Sequence, residues 1–335
     1  MPFSIGVMAA SFLPLMTSGL SDDWALRAVN AYEAWDMFTA TSAVPGAGVI
    51  VAHIDTGISK HPELAGANIL WEKSYNFVDN NKNIFHRFSR GQFPAHGHGT
   101  ETLSVMASPA GCPEGQQPSP CVTGIAPGAT YLPLLVSDSA IIGSGETVAR
   151  GINYAIDAGA QVINISLGNV ISMPLVEKAL NRAREEGVIV IAAAGNSTGT
   201  VKVYPGAYNA AIAIGGTTSD ASPWANSSVG AHVAWSAPAS EVYAAFVEKI
   251  NGAFAYSVKL AAGTSDAAAI TTGIAALWIS YHGRDNLIAH YGKSGIVPAF
   301  KKMVMENGVV TASDWPQNTY GSGIINAQKV LENSL

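Results

Sequence analysis

Three side chains far apart in the sequence carry the residue types of nucleophilic catalysis. Asp55 lies in "HIDTGISKHPEL", His98 in "HGHGTETLSVMAS" and Ser265 in "GTSDAAA". A serine hydroxyl attacks a carbonyl carbon only when a base within hydrogen-bond reach takes its proton. An imidazole does this best when a carboxylate fixes its tautomer and stabilises the imidazolium. The order Asp…His…Ser is one of the orders in which such triads occur. Each residue also has a plainer reading. Ser265 could be the N-cap of the apolar helix that follows it, Asp55 could cap the next helix, and a lone histidine can be structural. Asn196, beside Gly195, could mark a turn, and Ser166 a strand-end hydroxyl. Taken together and in this order, the residues favour the catalytic reading.

The elements that must bring them together alternate in type. "GVIVAHID" (48–55), "ATYLPLLV" (129–136), "QVINISLG" (161–168), "VIVIAAAGN" (188–196) and "AAIAIGG" (210–216) read as buried strands. "GETVARGINYAIDAGA" (145–160) has helical spacing, with Val148, Ile152, Ala155 and Ile156 on one face. "MPLVEKALNRAREEG" (173–187) has proline at its start and glycine at its end, both helix signals. This rhythm predicts a three-layer α/β fold with a mainly parallel sheet covered by helices on both faces. In such sheets ligands bind beyond the carboxyl ends of the strands. Asp55, Ser166 and Asn196 each fall at such an end. Two strand-like runs between Glu241 and Leu260 flank "KINGAF", whose Asn-Gly pair predicts a hairpin turn leading into Gly263-Thr264-Ser265. Repeats, low-complexity tracts and linkers are absent, so the parse is an N-terminal arm (1–22) and one catalytic domain (23–335).

The bulk numbers agree. Among 335 residues 48% are hydrophobic and 13% charged, enough apolar material for a large core and too much for disorder. A net charge of −6 argues against a nucleic-acid partner, and no apolar run reaches the ~18 residues of a membrane span. The opening "MPFSIGVMAASFLPLMTSG" is apolar like a signal-peptide core but has no basic residue before Arg27. The only cysteines, Cys112 and Cys121, flank a polar, proline-rich segment. They read as a small loop disulfide, with two free thiols as the alternative. A disulfide suits a secreted or periplasmic protein, and free thiols a cytoplasmic one.

Together the blocks Asp55-Thr56-Gly57, His98-Gly99-Thr100, "AAAGNS" (192–197) and Gly263-Thr264-Ser265 closely resemble the subtilisin-like serine proteases, the subtilases of peptidase family S8. "ISLG" (165–168), "GIAPGA" (124–129) and "YGSGIINA" (320–327) extend the likeness from Trp24 to the C-terminus. The resemblance implies a seven-stranded, mainly parallel sheet and a serine endopeptidase that works through an acyl-enzyme. Ser265 would be the nucleophile, His98 the general base and acid, and Asp55 the residue orienting it. The Asn196 amide, with the Ser265 N–H, would bind the oxyanion. Ser166, Leu167 and Gly168 would pair with the substrate backbone. Ala193 and Gly195 would form the opposite wall of the cleft, and the small residues there would leave an open pocket for a large apolar side chain. Catalysis would need no cofactor. Polypeptides would be the substrates, a propeptide or protein inhibitor would be a further partner, and the enzyme would be a monomer.

The sequence departs from the family pattern in several places. Asp266 follows the nucleophile where the family usually has Met; it suits the first turn of a helix and is expected to point away from the cleft. Ala269 stands where Pro is usual, which raises the question of transpeptidation or peptide ligation as an alternative activity. Glu101 replaces a frequent second His, a change expected to matter little. "ASPAGCPEGQQPSPC" lacks the Asn-rich pattern of the family's calcium loop, and Glu114 alone is no cage for a hard cation, so structural calcium is doubtful. "FVDNNKN" (77–83) reads as a solvated turn. Two other classes compete. A metal-dependent hydrolase could draw on His53, Asp55, His61, His96 and His98, although no helical His-x-x-x-His is present. A catalytically dead binding protein would usually have lost one of the four residues, and all are retained.

Overall fold

The structure is a computed structural model that describes residues 20–39, 43–86, 97–113 and 120–335. The first nineteen residues of the arm, together with His96 and Glu114, lie outside the described residues. In chain order the strands are β1 (Ile50–Asp55), β2 (Asn68–Ile69), β3 (Tyr75–Asn76), β4 (Thr130–Leu135), β5 (Val162–Ile165), β6 (Ile189–Ala193), β7 (Ile212–Thr217), β8 (Val233–Pro238), β9 (Ser240–Ile250), β10 (Ala253–Ala262), β11 (Val309–Val310) and β12 (Ile324–Ile325). The helices are α1 (Trp24–Ala28), α2 (Ala31–Thr39), α3 (His98–Ala107), α4 (Gly145–Asp157), α5 (Pro174–Glu185), α6 (Thr264–His282), α7 (Arg284–Tyr291), α8 (Ile296–Asn307), α9 (Gln317–Tyr320) and α10 (Ala327–Glu332).

Ten strands form the main sheet, in the order β11-β12-β8-β7-β6-β5-β1-β4-β2, with β3 also pairing to β4. Every pairing is parallel except β11 with β12. Among the described residues the sheet has ten strands, not the expected seven: six of four to six residues and four two-residue segments too short to show a periodic pattern. The central strands are buried on both faces, as the unbroken apolar runs required. One core lies between the sheet and α4 and α5. It holds Ile54, Leu134, Ile152, Ile163, Val176 and Val190. The second, on the other face, surrounds α6 and includes Leu103, Ile191, Ile214, Trp235, Trp278 and Phe300.

Helix α6 is almost wholly buried, from Thr264 to Ile279. It has no polar face because the sheet lies against it on one side and other helices cover the rest. Its entry is set by the β9–β10 hairpin. The turn residues Asn251 and Gly252 have φ values of 51° and 85°, the geometry that an Asn-Gly turn supplies. β10 then delivers the chain straight to Gly263. Cys112 and Cys121 are joined by a disulfide.

Candidate active site

The sheet register brings the ends of β1, β5 and β6 side by side. Ile54 pairs with Ile165, and Ile165 with Ala192. Asp55 is the last residue of β1, Ser166 follows β5 directly, and Asn196 stands three residues beyond β6. The strands expected over 161–168 and 188–196 therefore stop short, at Ile165 and Ala193, which leaves Ser166–Gly168 and Asn196 in the loops.

Ser265 is not a helix cap. The N-cap of α6 is Gly263, which has no side chain to cap the helix. Ser265 sits in the first turn, 9% exposed, with its Oγ 3.1 Å from His98 Nε2 and 3.2 Å from the Ser166 carbonyl oxygen. The Ser166 hydroxyl returns a hydrogen bond to the Ser265 carbonyl at 3.1 Å. On the far side of the imidazole, His98 Nδ1 lies 2.8 Å from Asp55 Oδ1, which also accepts the Thr56 N–H at 2.7 Å. Three segments separated by 43 and 167 residues thus form one continuous hydrogen-bonded chain.

This closeness depends on glycine. His98 opens α3, whose N-cap Gly97 has φ 80°, a left-handed conformation. A Cβ on Gly99 would lie 2.1 Å from the Gly57 carbonyl oxygen and 3.2 Å from Asp55 Oδ1, so only glycine lets α3 approach the end of β1. Burial opposes charge on Asp55, yet the His98 imidazole and its hydrogen bond, with the Thr56 N–H, hold the carboxyl down at about 2. Burial likewise opposes the imidazolium of His98. The Asp55 carboxylate, aided by Glu101 and Asp266, overrides it and lifts His98 to about 9.

Asn196 is turned by its neighbours. Thr264 N–H and Thr264 Oγ1–H both donate to Asn196 Oδ1, at 3.0 and 2.9 Å, and Thr264 Oγ1 in turn accepts the Gly195 N–H at 3.1 Å. With the carbonyl end engaged, the amide Nδ2–H₂ is the end left to donate. It lies beside Gly263, 3.4 Å from where a Cβ on that residue would stand. An amide donor and the Ser265 N–H at the start of a buried helix are the means by which negative charge on a tetrahedral oxygen can be stabilised.

One sequence expectation changes here. Gly168 does not offer a free backbone edge: its N–H donates to the Ala140 carbonyl at 3.0 Å and its carbonyl accepts the Ile142 N–H at 2.9 Å. Val203 packs between the two glycine walls. Its Cγ1 lies 2.4 Å from a Cβ built on Gly168, and its Cγ2 2.5 Å from one on Gly195. Glycine walls are legible in a sequence, but the residue packed between them is not. Asp266, beside the nucleophile, is fully buried, and neither of its carboxylate oxygens has a hydrogen-bond partner.

The histidines that suggested a metal centre are held otherwise. His53 Nε2 bonds Thr102 Oγ1 at 2.9 Å and lies 3.7 Å from Asp55 Oδ2; burial pushes its pKa down to about 4. His61 Nδ1 accepts the Glu63 N–H. Among the described residues no group of three His, Cys, Asp or Glu side chains is placed to hold a metal ion. Thr102, which also reaches Asp55 Oδ2 at 3.5 Å, is a supporting residue that sequence reasoning missed. Its signal was its position, one turn beyond His98 on the same helix face.

Residues 46–323 match the model of the Subtilase family. Thermitase of Thermoactinomyces vulgaris is 32% identical over 253 residues, 75% of this chain and 80% of that protein. Subtilisin Savinase of Lederbergia lenta is 30% identical over 285 residues, covering 84% and 90% of the two chains. Among solved structures, a protease of Pseudoalteromonas arctica superimposes with a TM-score of 0.75 over 92% of this chain and 96% of its own, at 22% identity, which supports the fold.

Proposed function

The chain belongs to the subtilase family and is a serine-type endopeptidase, and on that premise we propose that Ser265, His98, Asp55 and Asn196 carry the reaction. His98 Nε2 takes the proton of Ser265 as Oγ attacks the scissile carbonyl carbon. Asp55 keeps the Nδ1 proton facing itself, so that Nε2 is the basic nitrogen. The carbonyl oxygen becomes an oxyanion received by Asn196 Nδ2 and the Ser265 N–H. His98 then protonates the leaving amine, the acyl group stays on Oγ, and a water activated by His98 releases the acid and restores the hydroxyl. The hydrogen-bonded chain from Asp55 through His98 to Ser265 is the observation that carries this reading. Cleavage of a peptide library by the wild-type enzyme, compared with a Ser265→Ala variant, tests it: defined cleavage sites that vanish in the variant are expected. A Ser265→Ala protein that still cleaves at the same sites would refute it.

Removing the Asn196 amide should show in turnover more than in binding. We expect Asn196→Ala to lower kcat by a factor on the order of 10²–10³ with little change in KM, because the donor serves an oxygen that is charged only in the transition state. Steady-state kinetics on a peptide anilide measures both.

Specificity follows from Val203. A substrate backbone laid along Ser166 and Leu167, opposite Ala193 and Gly195, directs its acyl-side residue into the space that Val203 occupies. Small side chains fit there and large apolar ones do not. Val203→Gly is expected to raise kcat/KM for a phenylalanyl anilide relative to an alanyl one by roughly tenfold to a hundredfold, the scale on which a few methylene groups discriminate. An unchanged ratio would remove Val203 from the pocket.

This reading includes a catalytic unit beginning near Trp24, which is buried in the α6 core, and a monomer acting on polypeptides, with a propeptide or protein inhibitor as a further partner. It also places the enzyme outside the reducing cytoplasm. The Cys112–Cys121 disulfide supports that placement. So does the likeness to a minor extracellular protease of Bacillus subtilis, 34% identical over 197 residues, 56% of this chain and 22% of that protein. Among the described residues no helix is long and apolar enough to cross a membrane.

A further inference from the structure

Two buried polar side chains stand behind Asp55 and take no part in the mechanism above. His53 lies two residues before Asp55 on β1, so both point from the same face of the strand. Thr102 lies four residues after His98 on α3, on the same face of the helix. Strand and helix therefore meet in two rungs. One is Asp55 with His98, joined at 2.8 Å between Oδ1 and Nδ1. The other is His53 with Thr102, joined at 2.9 Å between Nε2 and Oγ1. A diagonal links the rungs, from Thr102 Oγ1 to Asp55 Oδ2 at 3.5 Å. His53, Asp55 and Thr102 are all buried, so solvent does not compete for these bonds.

The available partners decide where the protons lie. Burial keeps His53 neutral, pushing its pKa down to about 4. A neutral imidazole carries one N–H, on Nδ1 or on Nε2. His53 Nδ1 has no hydrogen-bond partner. A proton placed there would be a donor with nothing to bond. It would also make Nε2 the acceptor of the Thr102 hydroxyl and leave Asp55 Oδ2 without a donor, a costly state for a buried carboxylate. A proton on Nε2 avoids both losses. It donates to Thr102 Oγ1, and the hydroxyl proton is free for another acceptor. Two are in reach, the His98 carbonyl at 3.1 Å and Asp55 Oδ2 at 3.5 Å. The carbonyl is neutral. Oδ2 is charged, and among the described residues it has no other hydrogen bond, whereas Oδ1 already takes the Thr56 N–H and His98 Nδ1. A charged acceptor makes a bond roughly twice as strong as a neutral one. The diagonal is long, as the hydrogen bonds of free active sites often are.

We propose that His53 and Thr102 are positioning residues for Asp55: the His53 Nε2–H aims the Thr102 hydroxyl at Oδ2, and that bond clamps the carboxylate so that Oδ1 stays in line with His98 Nδ1. The clamp is built on the strand that carries Asp55 and the helix that carries His98, so it moves with the pair it serves. It matters most once His98 has taken the Ser265 proton, when the Nδ1–H bond to Oδ1 joins opposite charges. Its loss therefore appears in kcat rather than in KM.

The inference rests on the serine-protease reading with Asp55 and His98 in their proposed roles. Steady-state kinetics on a peptide anilide is compared for wild type, Thr102→Val, Thr102→Ser, His53→Leu and the double variant His53→Leu/Thr102→Val, with thermal melts showing that each is folded. Valine keeps the shape of threonine and removes only the hydroxyl. Thr102→Val should lower kcat roughly tenfold with KM unchanged, the scale of one hydrogen bond to a charged group. Thr102→Ser, which keeps the hydroxyl, should retain most of the wild-type kcat. His53→Leu should lower kcat by a smaller factor, and the double variant should be no slower than Thr102→Val, because His53 acts through the hydroxyl. A wild-type kcat in Thr102→Val would show that the hydroxyl serves only the His98 carbonyl and would overturn the proposal. So would a Thr102→Ser enzyme as slow as Thr102→Val, or losses at the two sites that multiply in the double variant. If Thr102→Val does not fold, His53→Leu decides, and an unchanged kcat there overturns the proposal. A wild-type enzyme that turns over no anilide and is inert to a fluorophosphonate would instead refute the serine-protease reading.

Discussion

Ser265→Ala should lower kcat by a factor on the order of 10⁶ while leaving substrate binding and the fold intact. The side chain of Ser265 is no N-cap, and among the described residues its Oγ hydrogen-bonds His98 Nε2 and the Ser166 carbonyl. Alanine removes the atom that bonds to the acyl group and keeps a good residue for a helix's first turns. His98→Ala is expected to match it, and a double variant to be no slower than either single one, because nucleophile and base act as a unit. Single-turnover measurements on a peptide anilide, with KM and a thermal melt in parallel, check this. The residual rate then reports what Asn196 and the helix N-terminus contribute without the nucleophile.

Asp55→Asn should cost on the order of 10⁴ in kcat with the geometry unchanged. Asp55 Oδ1 accepts from both the Thr56 N–H and His98 Nδ1, and Oδ2 faces Thr102 and His53. An amide at this place either turns its N–H₂ toward His98, which forces the imidazole proton onto Nε2 where a base is needed, or leaves that N–H₂ among donors. The imidazolium also loses the carboxylate that lifts it to about 9. The acid limb of kcat/KM should therefore fall toward lower pH even as the maximal rate collapses. A pH profile of kcat/KM on the same anilide separates the two effects. A variant with the wild-type limb would show that some other group sets the basicity of His98.

The catalytic constellation was legible in the sequence because its parts are local. Gly97 and Gly99 around His98 mark places where backbone must turn or approach closely, and the apolar runs before Asp55 and Asn196 mark the strand ends that carry them. The Asn251-Gly252 turn was legible for the same reason. β8, as long as β1, escaped notice because Ser236 interrupts its apolar run and it ends in proline. The edge strands β2, β3, β11 and β12 were too short to carry any pattern. What could not be read was contact between distant segments. Val203 between Gly168 and Gly195, Thr264 holding the Asn196 carbonyl, and the 140–142 segment on Gly168 each join residues whose spacing in the chain says nothing of their nearness.

The most direct test of the catalytic account is to label the wild-type enzyme with a fluorophosphonate and locate the adduct by peptide mass mapping. A single phosphonylated site at Ser265 is expected, with labelling and peptide cleavage lost in parallel and both abolished in His98→Ala. An adduct on another residue, or cleavage that survives full modification of Ser265, would contradict it.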